Sequence, residues 1–152
     1  MLAILKLSLY INLVAALIAG PMMLFAPATY VQGNMDAGAA LGDTTATLVA
    51  AGVNSTDHFH IRFVGAAVFV CGISLVGQAL FLISPSNTEA LATVLRSLLV
   101  WMGLSAFVCF SQWYWTGAKA SLPLGGMCLF HYVTYLYSYL NLRSASDDEK
   151  KK

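Results

Sequence analysis

The sequence predicts an all-α integral membrane protein: a four-helix bundle with antiparallel neighbours and one long loop on the lumenal or exterior side. Three observations carry this reading. Four apolar runs, at about residues 7–25, 61–83, 91–115 and 122–142, are each long enough to cross a ~30 Å hydrocarbon layer, which takes about 20 residues of helix. Charged residues make up only 10% of the chain, where a soluble domain carries about 25%. None of the four runs contains an Asp or a Glu, and the mean hydropathy is +0.72. The spans and a tail at 143–152 leave little for a soluble unit, so residues 1–152 read as a single membrane domain.

The first run carries only Ser8, Tyr10 and Asn12 as polar interruptions and stops at Pro27. Ala26-Pro27-Ala28 imitates a signal-cleavage pattern, but the run exceeds the usual h-region of ~7–15 residues and reads as a retained helix. Pro21 falls in its last turn, where neighbouring helices can compensate a lost backbone bond. Residues 27–60 read as the long connection, rich in Gly, Ala, Thr and Asp, with Ala46 to Val53 too short to span. It holds an N-glycosylation sequon, Asn54-Ser55-Thr56, close to the next span. Ser84-Pro85-Ser86-Asn87 ends the second run and can cap the third, because proline cannot continue a helix while Ser and Asn accept from its first N–H groups. Residues 117–121 are a short link before the fourth run, and links this short force antiparallel neighbours.

Placing both termini on the cytoplasmic, matrix or stromal side collects Lys6, Arg96, Arg143 and Lys150 to Lys152 there, leaving Arg62 and Lys119 opposite. Trp113 to Trp115 then form one interfacial aromatic belt, and Tyr137 and Tyr139 the other. The membrane is read as that of the ER or an organellar inner membrane.

Each run carries one small or polar stripe at helical spacing: Ser8, Asn12, Ala15 and Ala19; Ala67, Cys71, Ser74 and Gln78; Ser105, Cys109, Gln112 and Thr116; His131, Thr134, Tyr135 and Ser138. In lipid such stripes face one another, as hydrogen-bonded glue or as the lining of a pocket. Asn12 and Gln78, at similar depth, are expected to meet as a packing pair. His131, Gln112, Tyr135 and Arg62 form the candidate interior site, led by His131, because an ionisable group inside a membrane is a functional hypothesis by default.

Against chemistry stand several facts. A single histidine cannot supply the three or four ligands of a metal site, and the acid-free spans exclude carboxylate relays and di-iron chemistry. His58 and His60 would share a side only in an extended strand. Cys71, Cys109 and Cys128 lie inside apolar runs with no C-x-x-C spacing. No hydrolase, P-loop, zincin or Rossmann pattern occurs, so no catalytic residue, metal or cofactor is expected. Nucleic acid is excluded as a partner by a net charge of +1 whose only basic cluster follows Asp147, Asp148 and Glu149.

Arg62-Phe63-Val64-Gly65 at the second span, and Phe110-Ser111-Gln112 with Gly117 at the end of the third, resemble motifs of the small ER tetraspan scaffold family of ergosterol-type sterol biosynthesis. In that family an acidic residue stands where Gln112 stands here, and the two motifs lie closer together. The resemblance implies four helices, a long first lumenal loop and a non-enzymatic tether for sterol-demethylating enzymes. The residues themselves point to a non-catalytic scaffold or accessory subunit, in contact with lipid and with other membrane proteins of a complex. The alternative is a binder, transporter or enzyme for a small hydrophobic molecule.

The orientation is testable by labelling engineered cysteines in sealed vesicles. Ala40→Cys and Asp148→Cys are expected to react from opposite sides, and reaction from the same side would refute the assigned topology.

Overall fold

The computed structural model describes residues 2–52 and 58–149; the sequon at Asn54, Asp57 and the terminal lysines lie outside that range. Among the described residues all regular structure is helical: α1 (Leu2–Phe25), α2 (Pro27–Ala40), α3 (Thr45–Ala50), α4 (His58–Cys71), α5 (Gly77–Phe81), α6 (Thr88–Thr116) and α7 (Ser121–Glu149). A π-helical turn, Gly72–Val76, joins α4 to α5, and a 3-10 turn, Pro85–Asn87, precedes α6.

Among the described residues, three helices are long and apolar enough to cross a membrane: Leu2–Phe25, Phe59–Phe81 and Thr88–Thr116. The expected fourth span is a long helix, α7, but it does not share that apolarity. His131, Thr134, Ser138, Asn141 and four tyrosines dilute its aliphatic content, and its last turns are charged.

The connection read as a loop over 27–60 is instead largely helical. Proline disfavours the α conformation in the residue before it, and Ala26 accordingly leaves the helix (φ −132°) while Pro27 starts α2 at a position whose N–H would have no partner. The alanine-rich stretch after Met35 then propagates, supported by Gln32 donating to Asp36 one turn on (2.7 Å). Gly42, in the left-handed region (φ +82°), ends α2: its N–H donates to the Ala39 carbonyl and that of Asp43 to the Gly38 carbonyl, both at 3.0 Å. Thr44 caps α3, its hydroxyl accepting from the Thr47 N–H (3.2 Å). Before α6, Asn87 holds the N-cap position without a side-chain bond.

The helices associate as two antiparallel pairs. In one, Arg96 lies opposite Tyr139, Gly103 opposite Tyr132 and Phe110 opposite Gly125, a constant register that runs α7 back along α6. In the other, Gly20 faces Phe69, Met23 faces Gly65 and Ala16 faces Gly72 along α1 and α4. Helix α1 also touches α7, and the π turn and α5 touch α6, which closes the core around Leu5, Leu9, Val76, Ala79, Leu95, Leu98, Met102 and Tyr135. The α2–α3 segment folds over the end of the molecule where α6 turns into α7: Gly38 packs on Leu48 and Ala120.

The second polar stripe does not face this core. Ser74 and Gln78 are exposed, Ser74 bonding only its own helix at the Val70 carbonyl (2.6 Å), and the buried positions are Gly65, Gly72, Val76 and Ala79. Backbone approach explains the choice. A methyl group on Gly65 would sit 2.6 Å from Met23 Cβ and 2.9 Å from the Leu24 nitrogen, and one on Gly20 would sit 2.8 Å from Phe69 Cβ. In a solvent that drives no hydrophobic collapse, that close contact outweighs pairing two exposed polar groups.

Gly20→Ala and Gly65→Ala are therefore each expected to destabilise the detergent-solubilised protein by about 1–3 kcal/mol, as overpacking does. Gly126→Ala, where a methyl group meets nothing within 4 Å, is expected to be neutral or stabilising by up to ~1 kcal/mol. Equilibrium unfolding in mixed detergent micelles measures all three.

Candidate functional site

Two polar clusters lie inside the molecule, and three of the four candidate residues, His131, Tyr135 and Gln112, divide between them. The first joins α1 to α7. Ser8 and His131 share a hydrogen bond between Oγ and Nδ1 of 2.7 Å, and the Asn12 amide donates to the Tyr135 hydroxyl (3.1 Å). Asn12 also approaches Met102 Sδ on α6 at 3.8 Å. Ser8 and Asn12 are one helical turn apart, as are His131 and Tyr135, so each helix offers two polar groups from a single face.

Burial is nearly complete: Ser8 and Tyr135 are 0% exposed and His131 is 1% exposed. The His131 and Tyr135 rings stack with centroids 5.9 Å apart and planes 23° from parallel. His131 Nε2 has no hydrogen-bond partner among the described residues. An unsatisfied polar atom at such depth costs about 1–3 kcal/mol, which the Ser8 bond and the aromatic contact must offset. The cluster can orient helices and hold a buried imidazole. With Ser8 sealed from any approach, it gives no path for a substrate to that hydroxyl.

Asn12 does not meet Gln78 as the sequence suggested. Its partner is Tyr135, because the close α1–α4 contact turns the glycine face of α4 inward and leaves Gln78 exposed. Met102 was not legible as a partner, since a thioether within an apolar run gives no polar signal.

The second cluster lies where α6 turns into α7. Gln112 donates its amide to the Ala51 carbonyl, and its side-chain oxygen accepts from the Ser121 hydroxyl (3.1 Å). Gln112 thus ties the end of α3 to the start of α7. Asp43 reinforces the tie, its two carboxylate oxygens accepting from the Lys119 and Ala120 N–H groups at 2.9 and 2.8 Å. Those donors lie at the entry to α7, where a helix leaves N–H groups unsatisfied and favours negative charge. Beside this tie is a partly open cavity of about 190 Å³, lined among others by Tyr30, Asn34, Ile61, Cys109, Gln112 and Leu124. Among the described residues, every lining residue is uncharged.

Arg62 joins neither cluster; it is exposed in the first turns of α4. The same segment is helical, so positions 58 and 60 are about 200° apart around the axis rather than on one side. No group of three or more His, Cys, Asp or Glu that could hold a metal ion occurs among the described residues. Cys71, Cys109 and Cys128 are free thiols. Compared with protein-family models, with curated proteins and with solved structures, the chain matches none.

The two amides separate in their consequences. Asn12→Leu is expected to cost about 0.5–2 kcal/mol in helix association, with Tyr135→Phe adding little once Asn12 is gone. Gln78→Leu is expected to stay within about 0.5 kcal/mol, as surface substitutions usually do. A double-mutant cycle on Asn12 and Tyr135, followed by unfolding in detergent, checks both statements.

Proposed function

We propose that this chain is a non-catalytic subunit that assembles or stabilises a larger membrane complex, with α7 as a fourth span and both termini on the cytoplasmic, matrix or stromal side. One observation supports it most directly: Ser8 bonds His131 through Nδ1 and Asn12 bonds Tyr135, so most of the deep polar capacity goes into helix–helix bonds. What the protein offers outward is large apolar surface. Phe25, Phe59, Phe63, Phe81, Phe107 and Trp115 are each more than two-thirds exposed, and such faces suit lipid and neighbouring membrane helices alike.

The resemblance to the tetraspan scaffolds of ergosterol-type sterol synthesis agrees with this role, and would make the ER the membrane and sterol-demethylating enzymes the partners. An organellar inner membrane with another complex fits the residues equally. A second reading has its own support in the uncharged cavity beside Gln112, which suits a small neutral hydrophobic molecule.

Purification in mild detergent, with mass spectrometry of the molecules that accompany the chain, separates the two. The scaffold reading expects stoichiometric membrane proteins that are depleted when the chain is deleted and still assemble around a His131→Ala variant. A His131→Ala variant that assembles normally but abolishes a turnover activity would overturn it.

A further inference from the structure

A third polar group lies at the opposite end of the molecule from Gln112, on the α6–α7 pair. Arg96 Nη2 donates to the Tyr139 hydroxyl at 2.9 Å and Arg143 Nη1 reaches the same oxygen at 3.5 Å. Both guanidiniums also lie beside the Tyr139 ring, with Cζ 5.7 and 5.9 Å from its centroid. Two cations are thus held against one neutral hydroxyl. Among the described residues, the contacts of both guanidiniums are with this one phenol. Like charges gathered this closely repel, and a phenol supplies no compensating charge. Arg143 has Asp147 one turn on in the sequence, but Arg96 has no acidic residue within a turn on either side.

Depth along the helices says what can approach. Arg96 and Trp113 are separated by roughly 26 Å of α6 at 1.5 Å per residue, and Leu122 and Tyr139 by the same length of α7. That is close to the ~30 Å of a hydrocarbon core, so with the Trp113–Trp115 belt at one boundary the two arginines lie at the other, level with lipid headgroups. Arg96 and Arg143 are both exposed, their N–H forks open to that layer. Guanidinium forks match phosphate oxygens bidentately, and stacking on an aromatic ring restrains them before the anion arrives.

We propose that Arg96, Tyr139 and Arg143 form a phosphate-binding site that takes the headgroup of an acidic phospholipid, with Tyr139 as the positioning residue. The site rests on the proposed reading of α7 as a fourth span, and is independent of whether the chain is a scaffold or a ligand binder. The test uses the full chain in phosphatidylcholine vesicles doped with a minor fraction of phosphatidylglycerol, extracted gently and weighed with its retained lipid by native mass spectrometry. Phosphatidylglycerol is expected to be enriched over phosphatidylcholine by about thirtyfold relative to the vesicle, the order two basic side chains at a membrane surface provide.

Arg96→Gln with Arg143→Gln is expected to abolish the enrichment, and Tyr139→Phe to lower it without removing it. Lys119→Gln, at the other end, is expected to change nothing. Millimolar inorganic phosphate that displaces the lipid would identify free phosphate as an equal source, whereas no displacement assigns the site to the headgroup. Equal retention of both lipids by the wild type, or equal loss in Lys119→Gln, would overturn the proposal. So would a double variant that keeps its lipid preference but sheds a co-purifying protein, which would assign the arginines to an acidic protein partner.

Discussion

The bonds between α1 and α7 constrain the architecture most, because they add direction where two helix pairs, each built by close contacts within the pair, meet. Helix α1 is committed to α4 through Gly20, Gly65 and Gly72, and α6 to α7 through a register that includes Gly103 and Gly125. Between the pairs, Ser8–His131 and Asn12–Tyr135 supply direction that apolar packing lacks. A leucine can slide along its neighbour at small cost; an amide bonded to a phenol hydroxyl fixes both depth and rotation. In hydrocarbon the alternative to each bond is a polar group with no partner, so even bonds worth about 0.6–2 kcal/mol define a unique arrangement.

That constraint orders the rest. With α1 pinned on both sides, the phase of α4 is dictated by where glycine lets backbones meet, and Ser74 and Gln78 must point outward. The π turn at Gly72–Val76 falls where α4 passes Ala16 of α1, and beyond it Val76 and Ala79 enter the common core. An extra residue in one turn rotates every later position on the helix, so a stripe drawn at a uniform 100° per residue does not carry through.

Much of this was legible in the sequence, and the failures have physical causes. The apolar runs identified the long helices, since lipid tolerates no other open backbone structure. Position within a stripe identified Ser8, Asn12, His131 and Tyr135, since a polar group in an apolar run must find a partner. Pairing was not legible: Asn12 chose Tyr135 over Gln78 because of glycine contacts that act through absent atoms. Helices α2 and α3 were read as loop because glycines and short polar residues resemble a connection, although Gly38 serves a contact and Gly42 a terminus. Asp43 reads as an ordinary loop acid until its donors, the Lys119 and Ala120 N–H groups, are seen in space.

The bond made by Asp43 also has a temporal meaning. Its two donors lie 76 and 77 residues further along the chain, and the Gln112 amide meets a carbonyl 61 residues before it. Because a chain is made from its N-terminus, α1, α2 and α3 precede both donors, and the Asp43 carboxylate has neither of them until residues 119 and 120 have been made. Closure of that end thus marks completion of the last helical hairpin. A chain truncated before Lys119 would keep the residues of the α1–α4 pair yet leave the Asp43 carboxylate without the two donors that latch it in the finished molecule.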